Sequence, residues 1–359
     1  MKTLHTRFPV AARGASRGMS LVELLVAITI GMLIVTAMSL LFANSSRSRS
    51  ETERSSRNIE NGRYAMDLLR GELQVAGYFA EFDPREKLTT AVLAAAVPDA
   101  CATAVADLNA AVGLHIQGYD NMATGTLSCL TDVKVGTDAF VVRRAGGCTT
   151  GSTGCAALAA GAPAFQASSC GNATELGNSA VTVHYRLNTD TSALTLHKRN
   201  CTTVADTRRY LVRIYYVANN DRAGDGIPTL KYAELGAGGF ASSSLVQGVE
   251  NLQIEYGLDT DGNGDADLYT SDPGLYATCS TTTSPSCVGQ WASVVSVKAF
   301  VLSRSIDQSP GYTDANTYVL GRKFNGDPNT FGSLAAGYKR KVFQEVIRLQ
   351  NPAGRRATS

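Results

Sequence analysis

An acidic segment at residues 259–267, the acidic loop, has the side chains best suited to hold a cation. Asp259, Asp261 and Asn263 fall at positions 1, 3 and 5 of an EF-hand-type loop, and Asp267 falls at position 9. Asp265 adds a carboxylate at position 7. Close carboxylates repel one another unless a cation neutralises them, and oxygen ligands alone favour Ca²⁺ over a transition metal. The spacing therefore predicts calcium as a candidate cofactor.

The acidic loop departs from an EF-hand in two respects. Position 12 is Thr270 rather than a bidentate glutamate, and the flanking sequence is typical of strands rather than of two helices. Two interpretations remain open: a calcium-binding loop of another kind, and a solvated Asp/Gly turn between strands.

Eight cysteines form the second candidate group, and none of them lies in a C-x-x-C motif. Their even number and their Gly/Ser/Thr-rich surroundings predict disulfides in an exported domain, and buried thiols in a cytosolic protein are the alternative. Short loops favour the pairs Cys148–Cys155 and Cys279–Cys287. The remaining four are Cys101, Cys129, Cys170 and Cys201.

Composition narrows the possible functions. The 359 residues carry 33 Lys and Arg against 31 Asp and Glu, which gives a net charge of +2 and argues against nucleic acid as the main partner. The sequence has no H-E-x-x-H, G-x-S-x-G or P-loop motif. We therefore predict that the protein is not an enzyme.

The N-terminus combines a basic leader with a long apolar run. Residues 1–18 include four Lys or Arg and no acid, and residues 24–43 carry no charge. A helix over residues 24–43 is about 30 Å long, the thickness of a hydrocarbon core, and the basic leader marks the cytoplasmic side. A cleaved signal peptide would have a shorter apolar core. A plain membrane anchor would not need Glu23, the only charge in residues 19–43.

The segment Gly18-Met19-Ser20-Leu21-Val22-Glu23 resembles the class III prepilin signal, although Phe is commoner than Met at the first mature position. The resemblance implies that a prepilin peptidase cuts between Gly18 and Met19 and that the new amino terminus is N-methylated. Glu23 could then pair with the α-amino group of a neighbouring subunit and set the register of assembly.

The rest of the sequence indicates an α+β fold: a long N-terminal helix of the pilin type, then a mainly antiparallel β domain. The helix is predicted over residues 20–76, with Gly77 as its stop and with Gly31, Gly62 and Gly71 as weak points. Four segments are expected: a leader (1–18), a transmembrane half of the helix (19–43), a periplasmic half (44–78), and a disulfide-containing β-rich domain (79–359).

Alternation of apolar and polar residues predicts the strands. A hairpin is expected from 181–187 and 194–199, and the segment 145–180 is expected to be a long disulfide-pinned loop. Residues 91–112 could hold a short helix or an irregular loop. The other predicted strands cover 137–144, 211–218, 249–256, 294–303 and 341–350.

Several later phrases are similar to the PilW family of large minor pilins of the type IV pilus. They are Asn61–Tyr64 with 69–70 and 76–78, the strand ending in Arg143-Arg144, Asp225–Leu230, Val246–Tyr256 with the acidic loop, Val294–Ser305 and Arg340–Asn351. The resemblance implies a low-copy subunit at or near the pilus tip that primes assembly and thereby supports twitching motility and adhesion.

The same resemblance implies partners and a location. The partners would be other minor and major pilins through the N-terminal helix, the prepilin peptidase, the assembly machinery of the inner membrane, and a tip adhesin. The protein would first be a single-pass inner-membrane protein with its C-terminal domain in the periplasm, and then part of the fibre at the cell surface. A type II secretion pseudopilin and a membrane-anchored, calcium-dependent adhesin are the alternatives.

Overall fold

The computed structural model describes residues 18–82, 96–172, 175, 184–276, 285–332 and 334–357. The chain forms two compact units, and their boundary lies inside the first helix, between Glu53 and Arg54. This helix, α1 (Leu21–Gln74), ends within two residues of the predicted position. Gly77 follows with φ +70, a left-handed conformation that suits glycine at a helix stop, and its N–H donates to Arg143 O at 3.0 Å. The predicted helix is thus confirmed.

Among the described residues, the first sheet has seven strands, and all their pairings are antiparallel. Its longest strand, β5, pairs with β2, β3 and β6, and the short helix α2 (Val105–Ala110) precedes β1. The strands are β1 (Ile116–Tyr119), β2 (Ala139–Ala145), β3 (Ala164–Ala167), β4 (Tyr185–Asn188), β5 (Thr207–Ala218), β6 (Thr229–Gly236) and β7 (Gly239–Gln247).

The second sheet has four strands in the part of the chain that the structure describes, in the order β13-β10-β8-β9, and they are again antiparallel. A separate two-stranded hairpin, β11–β12, lies between β10 and β13 in sequence. The elements are β8 (Val249–Leu258), β9 (Leu268–Thr270), α3 (Pro285–Ala292), β10 (Val294–Arg304), β11 (Tyr318–Arg322), β12 (Pro328–Phe331), β13 (Arg340–Arg348) and α4 (Gln350–Arg356). The predicted α+β class is therefore confirmed.

Two hydrophobic clusters form the core. One joins the end of α1 to both sheets, with Leu69 and Leu73 beside Phe140 of the first sheet and Ile254 of the second. The other lies around Phe165 and other aromatic residues of the first sheet. Burial of these side chains, each worth about 1.5–3 kcal/mol, supplies most of the stability.

The predicted hairpin of 181–187 and 194–199 is wrong. Residues 181–183 lie outside the described residues, and β4 pairs with β3 instead. After β4 the chain enters a 3₁₀ turn at Thr191–Ala193, which Asp190 caps by accepting the N–H of Ser192. The segment 194–199 makes only an isolated bridge, between His197 and Val204. The expected long loop at 145–180 also contains a strand, β3.

Candidate functional site

The first helical turn of α1 carries a reciprocal cap. The N–H of Glu23 donates to Ser20 Oγ at 3.4 Å, and the N–H of Ser20 donates to Glu23 Oε2 at 3.2 Å. This is the S-x-x-E capping box, which satisfies two helix-end donors. Gly18 and Met19 are exposed and precede the helix, so the bond between them is accessible. The structure gives Glu23 a local role that we had not predicted, although the Ser–Glu spacing indicates it.

The apolar part of α1 satisfies its own polar groups. Its large side chains are exposed, and the helix is long and apolar enough to cross a membrane. The hydroxyls of Thr29, Thr36 and Ser39 donate to carbonyls three or four residues earlier, at 2.8–2.9 Å. In lipid, a hydroxyl that is bonded within its own helix does not need a partner elsewhere.

Residues 54–74 of α1, the stem, pack on the β domain. Gly62 is the point of closest approach: a Cβ built there would lie 2.6 Å from Phe343 Cζ, and closer to other atoms of that ring. Glycine therefore lets the aromatic ring of β13 lie directly on the helix. Gly62, which we expected to be a weak point, is a packing contact. The buried residues of the stem are Asn58, Gly62, Ala65, Met66, Leu69 and Leu73.

Ion pairs attach the stem to both sheets. Arg213 of β5 donates to Glu72 at 2.6 Å and to Glu234 of β6 at 2.6 Å. Burial opposes the charge of Arg213, but the two carboxylates outweigh it and raise the pKa of its guanidinium. On the second sheet, Arg70 forms two 2.6 Å hydrogen bonds to Glu345 of β13, a bidentate pair. The stem is thus held at defined points on each sheet.

The structure brings three of the predicted cation ligands together. One carboxylate oxygen each from Asp259, Asp261 and Asp267 lies within 4.8 Å of the others, so this group could hold a metal ion. Asp259 is 1% exposed, and its oxygens accept the N–H groups of Gly262 at 2.6 Å and Gly264 at 3.0 Å. The pKa of Asp267 is lowered, chiefly by the hydroxyl of Thr260 and then by its N–H.

The other two predicted ligands have different contacts. Asn263 accepts the N–H of Asp265 and donates its side-chain amide to Asp261. Asp265 is largely exposed and pairs with Arg348 at 3.4 Å. Arg356 of α4 lies 3.3 Å from Asp259, so part of the negative charge is already compensated by the protein.

Three disulfides are described, and they lie in the first sheet and its loops. Cys148 and Cys155 are joined, as the short loop between them predicts. The structure also joins Cys101 to Cys129 and Cys170 to Cys201, two pairs that sequence spacing could not select. Cys287 is buried and disulfide-bonded, whereas Cys279, its predicted partner, lies outside the described residues.

Two models of known protein families match parts of the chain. Residues 13–39 match the model of the prokaryotic N-terminal methylation motif. Residues 214–351 match the model of type IV pilus-assembly protein W, PilW. Together the two matches support a PilW-type, prepilin-like minor pilin. No curated protein and no solved structure is similar enough to match it.

The PilW match includes both the acidic loop and the residues of β13 that contact the stem. It begins within β5 and runs through β13, so it contains the acidic loop, Phe343 and Glu345. The three described disulfides lie outside it. Pilin-type families are structural, and they interact with other pilus components. The methylation motif and the apolar helix fit a membrane-anchored pilin.

Proposed function

We propose that the protein is incorporated at or near the tip of type IV pili, where it promotes the initiation of assembly and thereby twitching motility and adhesion. The observation that carries this proposal is α1 itself. One helix begins with an accessible prepilin-type junction, continues through an apolar segment, and ends as a stem bonded to both sheets of a PilW-type domain. Such a helix can transmit the packing of pilin helices to the domain.

The processing steps belong to the same proposal. A prepilin peptidase removes residues 1–18, and the amino group of Met19 is methylated. Residues 19–43 then leave the inner membrane and pack among the helices of other minor and major pilins. Residues 44–78 contain the outer half of the helix, which ends at Gln74, and the domain at 79–359 faces the periplasm and later the cell exterior. The inner-membrane assembly machinery and a tip adhesin are the further partners.

The mass of the mature N-terminal peptide tests the proposal. We expect a methylated peptide that begins at Met19, both in membranes and in sheared fibres from producing cells. A Gly18→Val control should leave the leader attached, because the junction no longer fits the prepilin pattern. A peptide that begins at Asn44 or Ser45, or an uncut Met1 in the unaltered chain, would refute the pilin role.

The capping box allows a sharper test of Glu23. Glu23→Gln removes the charge but keeps a side chain that can cap the helix, whereas Ser20→Ala removes the cap and keeps the charge. If Glu23 sets register through a charge pair with a neighbouring amine, Glu23→Gln should lower surface piliation and Ser20→Ala should not. The reverse pattern, measured by counting sheared fibres at equal membrane levels of the protein, would assign Glu23 to capping alone.

The principal rival is a type II secretion pseudopilin. The PilW match favours the pilus, because the matched family is described as a type IV pilus-assembly protein, and the match includes Glu345, to which Arg70 of the stem is bonded. A deletion strain separates the two: lost twitching with normal secretion supports the pilus, and lost secretion with normal twitching supports the pseudopilus.

The acidic loop supports a narrower proposal, that Asp259, Asp261 and Asp267 hold Ca²⁺. All three offer oxygen ligands, which suit this ion. A calcium-dependent adhesin on a membrane anchor would further require that surface adhesion depend on the bound ion. In that case Asp261→Asn should abolish surface adhesion and leave pilus number unchanged.

A further inference from the structure

Strand β13 has one side that faces away from its sheet. It pairs with β10 through nine register pairs and without a bulge. At the two ends, Leu349 N–H donates to Val295 O at 2.9 Å, and Lys339 O accepts from Ser305 N–H at 2.8 Å. Hydrogen-bonded and non-hydrogen-bonded pairs alternate in an antiparallel ladder, so the odd-numbered residues of β13 bond to β10. The backbone groups of its even-numbered residues therefore point outward.

Among the residues that the structure describes, no strand pairs with this outward side. Its central positions are Val342, Gln344 and Val346, which are uncharged, and Val346 is 59% exposed. A long edge strand is a template for another chain unless charge, proline or a bulge blocks it. The centre of the outward side has none of these, whereas Arg340 and Arg348 lie at the two ends of the strand.

A groove of about 580 Å³ opens beside the same edge. It is lined by Val346 of β13, Phe300 of β10 and Val319 of β11, and Val319 is 52% exposed. Glu255 and Lys298, whose charged atoms are 3.7 Å apart, contribute polar groups to the same lining. Side chains alternate between the faces of a sheet, so every second side chain of a strand added to β13 would lie beside this groove.

We propose that the outward side of β13 binds an extended segment of another subunit of the pilus assembly, which adds to the four-stranded sheet as a fifth strand. The backbone of the segment supplies hydrogen bonds, and its alternate side chains, which are apolar, pack beside Val342 and Val346 and enter the groove. An acidic residue at one end of the segment faces Arg348. The choice of a pilus subunit as partner rests on the proposed function, whereas the edge and the groove do not.

A second copy of this chain suits the edge less well. Antiparallel pairing of two β13 strands about Gln344 would place Arg348 of each copy opposite Arg340 of the other. The side chain of Arg340 is buried and already paired with Glu250 and Asp314, so a second copy would offer Arg348 no acidic partner at this position. A segment with an apolar centre and an acidic end supplies a carboxylate to Arg348, whose pair with Asp265 at 3.4 Å lies on the surface.

In-cell photo-crosslinking tests the proposal on the full chain. A photo-reactive amino acid replaces Val346, and the adduct is measured in three backgrounds: unaltered Gln344, Gln344→Pro and Gln344→Thr. Proline removes one outward N–H without breaking a bond to β10, and proline is tolerated on the solvent side of an edge strand. Threonine keeps the N–H. We expect Gln344→Pro to lower the adduct about tenfold and Gln344→Thr to leave it unchanged.

The adduct must also have the right partner. Mass spectrometry should place it in an extended segment of another subunit, with apolar residues at alternate positions. An adduct with a second copy, with lipid or with a helix would overturn the proposal. The proposal would also be overturned if a photo-reactive residue in place of Ser243 gave the same adduct yield as one in place of Val346. Ser243 lies on β7, another nine-residue edge strand among those that the structure describes. If Gln344→Pro lowers the amount of folded protein, Val342→Lys, which adds a blocking charge, must lower the adduct instead.

The N-terminal mass from the same cells separates this proposal from the pilin role. A chain that begins at Met19 and enters fibres, but gives no adduct that depends on the Gln344 N–H, refutes the added strand alone. A chain that is not processed refutes the proposed function, whatever the edge binds.

Discussion

Substituting alanine for Gly62 tests how tightly the stem packs on β13. The new Cβ would lie 2.6 Å from Phe343 Cζ, a distance at which either the ring or the helix must move. Gly71 lies nine positions later on the same helix and provides a matched control. It is exposed, and a Cβ built there would have no atom within 4 Å among those the structure describes.

Both substitutions gain helix propensity, but only Gly62→Ala also crowds Phe343. Replacing glycine by alanine inside a helix stabilises it by about 1 kcal/mol. Gly71→Ala should show this gain alone. Gly62→Ala should add an overpacking cost of about 1–3 kcal/mol. Because the helix term cancels between the variants, the difference of about 1–3 kcal/mol measures the contact with Phe343.

Thermal unfolding of the full chain in detergent is the assay. For a domain of this size, about 1 kcal/mol shifts Tm by about 2–4 °C, so Gly62→Ala should melt about 2–12 °C below Gly71→Ala. Adding Phe343→Leu to Gly62→Ala should recover part of the loss, because the smaller side chain leaves room for the methyl group. Equal stabilisation by both alanines would show that the ring yields without cost and would refute the packing argument.

Three further predictions concern pH, calcium and the stem ion pair. Burial lowers the pKa of His115 to about 3, so the contribution of neutral His115 to stability is complete above pH 6.5. It is lost as pH falls towards 3, with a slope of at most about 1.4 kcal/mol per pH unit. In urea titrations at several pH values, His115→Gln should lack this part of the acid slope, and an unchanged slope would contradict the prediction. Millimolar Ca²⁺ should raise the Tm of the unaltered protein and of Asp265→Asn, but not of Asp261→Asn, and a rise in all three would locate the ion elsewhere. Glu72→Gln should lower stability to urea by about 1–3 kcal/mol, because a partly buried Arg213 loses one charged partner, and an effect no larger than that of a surface pair would contradict this.

The parts of the fold that could be predicted are those in which one local pattern acts alone. The uncharged run at 24–43 and the glycine after the stem define α1 almost to the residue. The strands at 211–218, 249–256 and 294–303 are rich in β-branched and aromatic residues, and the structure has β5, β8 and β10 there.

The rest depends on contacts that are distant in sequence. β4 looks like half of a local hairpin, but its neighbour in the sheet is β3, some twenty residues earlier. β7 has three consecutive serines and becomes a strand through pairing with β6. The Gly62–Phe343 contact joins residues 281 positions apart in the chain, so glycine appears in the sequence only as a poor helix former.

In the candidate sites, too, local sequence patterns predict some contacts, whereas others join residues that are distant in sequence. The spacing of the acidic loop predicts five ligands, of which Asp259, Asp261 and Asp267 converge, but it cannot show that Asp265 turns to Arg348 or that Arg356 reaches Asp259. The Ser20–Glu23 cap is fully local, so the S-x-x-E spacing alone indicates it, although we had not predicted it.

The order of contacts between the stem and β13 has a mechanical consequence. Asn58 donates to Lys339 O, Gly62 meets Phe343 and Arg70 binds Glu345, so residue numbers rise together on both elements. From Asn58 to Arg70 the helix rises about 18 Å, and from Lys339 to Glu345 a strand extends about 20 Å, so the two elements run side by side in the same direction. A pulling force along the stem therefore loads the β10–β13 ladder in shear. Its nine register pairs must slip together rather than open one after another, and this geometry resists tension much better than peeling from one end does.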